Sequence, residues 1–275
     1  MVKRLESSWF SFLSTVEKIK NHHQNALDKI KEYQEGKANS GLVNETGGLF
    51  EEDDLQDDFE ELTLGKKRKI NISDIDAAGN LNKFKRDVKK DLDALDNLFV
   101  NLQKFESKIE KETVRPGNNK SEDDKIETLI AEISRKRSSG ENKSNPKVVI
   151  FSVYRDTAQY LFTQLSKRGF DRVAMVSGSG SQASDSDEET KNFEPILERF
   201  APYTKLYMEK VWDFATTKSG IDAYYEWIEW VAKNHPKTYS KIQQPIDILI
   251  ATDVLSEGQN LQDADMVINY DIHWN

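Results

Sequence analysis

The chain has 275 residues, no cysteine, and 48 acidic against 39 basic side chains, giving a formal net charge of -9. Disulfides and thiolate metal sites are thereby excluded, and His22, His23, His235 and His273 are too scattered to suggest a zinc site. There is no signal peptide or long apolar run, so a cytoplasmic chain without membrane contact is expected, and the acidic balance argues against nonspecific nucleic-acid binding by the surface as a whole.

Leu5, Trp9, Phe12, Leu13, Val16 and Ile19 recur at helical spacing, which predicts an amphipathic helix reaching about Tyr33. Between about residues 35 and 82 the periodicity gives way to Gly, Asn, Asp and Glu, with acidic runs at Glu51-Glu52-Asp53-Asp54 and Asp57-Asp58. A mobile acidic insertion is expected there. Gly65-Lys66-Lys67 is not a Walker A loop, because the upstream glycine and the following Ser or Thr are missing. Leu92, Leu95, Leu98, Leu102, Phe105 and Ile109 predict a second long helix. After Pro116-Gly117, Ser121 and Asp124 read as a capping box for a helix carrying Ile126, Leu129, Ile130 and Ile133. Residues 1–140 are thus expected to be helical around the acidic insertion.

The pattern then changes to α/β. Val148–Phe151 reads as a buried strand, followed by a helix bearing Ala158, Leu161, Phe162 and Leu165, with Asp156 or Thr157 as its expected cap. Val173–Val176 is the next strand, ending at Ser177-Gly178, and Ser179–Glu189 reads as a mobile polar loop. Ile196, Leu197 and Phe200 mark a helix. The segment from about 203 to 244 holds Tyr207, Trp212, Phe214, Tyr224, Tyr225, Trp227 and Trp230, which are expected to pack a small helical insertion rather than to stack on bases. Asp247–Ala251 and Met266–Tyr270 predict two further strands, each covered on both faces.

Between those last two strands lies a loop containing Thr252, Asp253, Ser256, Glu257, Gly258 and Asn260, at the carboxyl end of an expected parallel strand, where open α/β sheets bind ligands. Thr252 and Ser256 offer hydroxyl donors to a phosphate backbone, and Gly258 permits close main-chain approach. Asp253 and Glu257 would repel phosphate, so they are expected to orient Thr252, cap the loop or connect it to a nucleotide cleft.

The string from Ile246 to Asn275 resembles motif V of superfamily 2 helicases and translocases, especially the bacterial Swi/Snf-like branch, and its YDIHWN ending is similar to the lead-in to motif VI. Lys3-Arg4-Leu5-Glu6-Ser7-Ser8 resembles the KRLESS-type segment of that branch, Asp124-Lys125 its DK dipeptide, KVVIFSVYRDTAQYL its motif IV, and Arg199-Phe200-Ala201-Pro202 its R-F-x-P ending. The resemblance implies an incomplete, parallel-sheet RecA-like lobe of the P-loop NTPase type over 145–275, preceded by a helical protrusion and interrupted by the aromatic insertion.

It further implies a nucleic-acid partner, with DNA favoured over RNA, touched through motif V, with Ser177 and Gly178 as additional backbone contacts and Arg155 as either a further contact or an ordinary surface charge. ATP and magnesium would belong to the complete motor, together with a first RecA-like lobe, and neither would bind tightly to this chain. Catalytic residues are expected to be absent, since there is no Walker A loop, no acidic box after a buried strand, and no motif VI arginines before Asn275. The competing expectation is a non-catalytic protein-interaction scaffold built on a degenerate lobe. An unrelated Rossmann-like enzyme is disfavoured because Gly178-Ser179-Gly180 lacks the third fingerprint glycine.

Overall fold

In the computed structural model, residues 2–39, 71–113, 123–139, 142, 144–186, 192–252 and 259–271 are described. The chain divides into two compact units, residues 12–105 and residues 1–11 with 106–275.

The helical unit contains parts of α2 (Trp9–Asn39) and α4 (Leu81–Thr113), with α3 (Ile72–Ala77) between them. Ala26, Ile30, Tyr33, Ile72, Leu81 and Val88 form its buried cluster, and the Tyr33 hydroxyl donates to Asp76 Oδ2 at 3.1 Å. Two expectations change here. α2 continues past Tyr33, and residues 72–77 are helical, so the expected acidic insertion loses both its flanks. Its acidic runs lie outside the described residues.

The second unit is built on a five-stranded sheet in the order β3-β2-β4-β1-β5. β1 (Val148–Phe151), β2 (Val173–Ser177), β4 (Ile248–Ala251) and β5 (Met266–Asn269) are parallel, and β3 (Gly180–Ala183) runs antiparallel to β2. Side chains alternate between the faces of a strand. Val148, Ile150, Val173, Met175, Ile248 and Ile250 therefore enter one core with α5 (Asp124–Ser139) and α6 (Arg155–Lys167). Val149, Ala174, Val176, Leu249 and Ala251 enter the other, against α7 (Glu194–Phe200). Apolar runs without polar alternation follow from this double cover. The chain leaves α6 through Gly169, just past its Arg168 cap, with a φ of 84° that is natural only for glycine.

Three further expectations are corrected. Residues 180–183, expected in a mobile loop, form β3; Gly-Ser-Gln-Ala has no apolar pattern, and its strand character comes from backbone pairing with β2. β5 is not covered on both faces: it lies at the sheet edge, with Val267 60% exposed. α5 is capped by Asp123, whose Oδ1 accepts the N–H groups of Lys125 and Ile126 at 3.1 Å each, while Ser121 lies outside the described residues.

The aromatic segment forms a π-helix (Pro202–Met208), α8 (Gly220–Asn234) and α9 (Pro236–Gln243). Leu206, Tyr224, Trp227 and Val231 are its buried centre, surrounded by Tyr203, Tyr207, Trp212, Phe214 and Trp230. Its two ends meet at the amino edge of the sheet. There Lys147, just before β1, donates to the carbonyls of Phe200 and Ile246. Burial pulls the Lys147 ammonium below the usual lysine range, against the pull of Asp263 and Asp247.

Candidate nucleic-acid interface at the carboxyl edge

Parallel pairing brings the carboxyl ends of β2, β4, β1 and β5 to one edge. Val176 and Phe151 are both aligned with Ala251, and Phe151 is aligned with Asn269. The ladder continues one residue beyond the strands: Thr252 N–H donates to Val176 O at 3.1 Å, Ser152 N–H to Ala251 O at 3.0 Å and Tyr270 N–H to Phe151 O at 2.8 Å. Ser177-Gly178, Thr252 and the turn leading to Arg155 therefore leave the sheet from the same side, as strand order requires.

Their exposure differs. Arg155 is exposed as the first residue of α6, and Gly178 is exposed in the β2–β3 turn. Ser177 is buried, and its hydroxyl donates to Gly180 O at 2.9 Å and lies 3.1 Å from Ser179 Oγ, so it is used in closing that turn. Thr252 is only 7% exposed. Asn260 is exposed in the return connection to β5, whose next apolar residues, Leu261 and Ala264, pack on the α7 face. Asp253, Ser256, Glu257 and Gly258 lie outside the described residues.

The expected caps of α6 are used elsewhere. Its N-cap position, Tyr154, has no side-chain capping bond, and the Thr157 hydroxyl lies 2.6 Å from Ser7 Oγ and 3.0 Å from Ser8 Oγ. Asp156 Oδ2 is 3.5 Å from Arg4 Nη1. Ser8 separates α1 (Val2–Ser7) from α2, and its Oγ accepts the Ser11 N–H at 3.0 Å, the bond expected of an N-cap. Arg4 lies over the Tyr154 ring at 4.0 Å and donates to Ser11 Oγ at 3.1 Å. The KRLESS-like segment is thus packed on the amino end of α6.

A second set of contacts joins the same segment to α5. Trp9 Nε1–H is shared between Asp123 Oδ2 and Tyr160 Oη, at 3.1 Å each, and Tyr160 donates to the same carboxylate oxygen at 2.7 Å. Burial and the Asp123 charge push the Tyr160 hydroxyl well above the usual tyrosine range. Lys125 donates to Glu6 O at 2.9 Å and Ser7 O at 2.7 Å, and it lies 4.1 Å from the Tyr270 ring centroid. Burial lowers the Lys125 pKa, while Asp271, Asp123 and Glu6 oppose that shift. From sequence, Lys125 and Asp271 carry no assigned interaction and Thr157 reads only as a local cap. The available signal was a charged or hydroxyl residue embedded in an apolar window, at positions paired only by the fold.

Residues 200–275 match the family model described as the helicase conserved C-terminal domain. The match begins at the last residue of α7 and includes the insertion, β4, the polar connection and β5. That similarity to a helicase C-terminal domain accompanies the mixed, mostly parallel sheet. No curated protein and no solved structure matches the chain. Among the described residues no helix is long and apolar enough to cross a membrane, and no group of three or more His, Asp or Glu could hold a metal ion.

Proposed function

We propose that this chain is the second motor lobe, with its associated helical protrusion, of an ATP-dependent DNA translocase of the Swi/Snf-like kind. The observation that carries the reading is the gathering of Thr252, Ser177-Gly178 and Arg155 at the carboxyl edge of a helicase-type lobe. Arg155 and main-chain groups of Gly178 are the accessible contacts for a phosphate backbone, while buried Thr252 anchors the beginning of the loop that continues through Ser256 and Gly258. Asp253 and Glu257 orient that loop rather than touch phosphate, and Asn260 follows it as a polar contact.

ATP and magnesium act in the complete motor. The sequence has no Walker A loop to cradle the phosphates, so the nucleotide and its magnesium would need a first lobe. No hydrolytic step is assigned to this chain. Movement in the complete motor would follow from cleft closure on ATP and reopening after hydrolysis, with the loop after β4 carried along the backbone.

Fluorescence anisotropy on a labelled duplex tests the reading. Binding should weaken with salt, and Arg155→Ala should reduce the salt slope by about 1, as expected for one lost phosphate contact. A duplex affinity and slope unchanged by Arg155→Ala would remove that residue from the interface, and sustained ATP turnover by the chain alone would overturn its assignment as a second lobe that depends on a first. A protein-interaction scaffold is the second reading, supported by the fully exposed Val211 and by exposed Met208, Ile221 and Tyr225 on the insertion.

A further inference from the structure

Beside the carboxyl edge, segments far apart in sequence close into one circuit of polar contacts. Lys125, in the first turn of α5, directs its ammonium at the last carbonyls of α1, Glu6 O and Ser7 O. A cation is the favourable partner for carbonyls left open at a helix C-terminus. The same ammonium lies 3.8 Å from Asp271 Oδ1, just beyond β5. The other oxygen, Asp271 Oδ2, accepts the Ser152 hydroxyl and the Val153 N–H at 2.7 Å each, which holds the turn between β1 and α6. α6 closes the circuit by presenting Thr157 to Ser7 and Ser8.

We propose that Lys125 and Asp271 are positioning residues that seat residues 1–11 on the lobe and, through the β1–α6 turn, fix the surface on which Arg155 is presented. Asp271 is 6% exposed, and its Oδ1 is buried without a hydrogen-bond partner, leaving Lys125 as its compensating charge. Removing the lysine would strand that carboxylate, and removing the carboxylate would take from the partly buried ammonium the charge nearest to it, leaving the two carbonyls and the Tyr270 ring. A segment joined at Lys125, Thr157 and Trp9 is an integral part of the edge. The role of Arg155 rests on the proposed function; the seating itself does not.

The two oxygens of Asp271 allow the roles to be separated. Asp271→Asn keeps an oxygen for Ser152 and Val153 but removes the charge facing Lys125, whereas Asp271→Ala removes both. Hydrogen exchange on the full chain reads residues 1–11 and 152–157 directly, with residues 248–251 as the control for an intact sheet. Lys125→Met and Asp271→Asn should each raise exchange in residues 1–11 by about tenfold. Residues 152–157 should stay protected in Asp271→Asn and lose protection in Asp271→Ala. Lys125→Arg, which keeps charge and donors, should restore protection of residues 1–11.

Unchanged exchange in residues 1–11 for both Lys125→Met and Asp271→Asn would overturn the seating role. Should Asp271→Ala disturb the sheet control, Lys125→Met still decides the matter, because Lys125 is 38% exposed and its loss leaves no cavity in the sheet. Labelled-duplex anisotropy then separates the two ideas. Released exchange at 152–157 with several-fold weaker duplex binding supports both, and released exchange with unchanged binding keeps the seating role but removes this edge from the nucleic-acid interface.

Discussion

The sheet and the helical insertion bury comparable apolar groups by different means. Ile150, Met175, Leu249 and Ile250 are fully buried, and their register is set by the backbone ladder. The insertion instead centres on Trp227, whose ring lies 5.2 Å from Trp212, 5.5 Å from Tyr207 and 5.6 Å from Tyr224. Charge fastens it to neighbouring segments: Glu198 on α7 binds Lys210 and Lys241, and Lys205 reaches Gln259 at 2.8 Å. A ladder spreads its stability over many equivalent bonds, whereas a ring cluster tethered by a few ions depends on individual side chains. The insertion should therefore yield to single substitutions that leave the sheet intact.

Trp227→Ala gives the largest expected effect, a loss of about 4 kcal/mol in the packing of the insertion. The Trp227 indole N–H has no hydrogen-bond partner, so its contribution is packed mass, and Trp227→Phe should cost much less. Near-UV circular dichroism should lose its aromatic signal, while hydrogen exchange at 148–151, 173–176 and 248–251 stays slow. Parallel loss of protection in those strands would show that sheet and insertion unfold as one, and the contrast would fail.

Glu198 provides a sharper separation because it titrates. Its carboxylate is 3% exposed. Burial alone would raise its pKa, but hydrogen bonds and charge from Lys210 and Lys241 outweigh that and bring it below the usual glutamate value of 4.5. A carboxyl whose folded value is depressed adds stability that is fully present above its unfolded value and disappears as pH falls through the folded one. Protection of 220–243 should accordingly decline below about pH 4.5, with no comparable change in β1 or β4. Glu198→Gln should cost about 2 kcal/mol at neutral pH and flatten this acid dependence. An undiminished acid response in the variant would assign it to another carboxylate.

The difference between the regions also explains what could be read from the chain. β1, β2 and β4 were legible because burial on both faces demands unbroken apolar runs. The carboxyl-edge location of Ser177, Thr252 and Arg155 followed from strand and helix order. β3 was missed because Gly180, Ser181, Gln182 and Ala183 carry no apolar signature and become a strand only through β2. Lys125 and Asp271 were missed as a pair because local windows see each as an ordinary charge at the end of an element. Thr157 looked like a local cap, yet its hydroxyl is taken up by Ser7 and Ser8. Local pattern predicts who is buried; the partners of a buried polar group depend on which segments the fold brings together.

The smallest expected effect concerns the junction between the two regions. Pro202 opens the π-helix without an N–H, and Ala201 at the cap position has no side-chain acceptor, so Tyr203 and Thr204 present the first open donors. Asp263, in the connection returning to β5, supplies what the local sequence lacks. Its Oδ2 accepts Tyr203 N–H at 2.9 Å, and its Oδ1 accepts Thr204 N–H at 3.0 Å and the Thr204 hydroxyl at 2.6 Å. Asp263→Asn keeps one oxygen but loses the charge at the helix start, for a cost of about 1 kcal/mol. Exchange at 203–208 should rise about fivefold while the Trp227 cluster stays protected. If protection at 224–231 falls with it, the cap is a structural support of the aromatic cluster itself. If only the first turn responds, the junction is a local hinge between the backbone ladder and the ring-packed insertion.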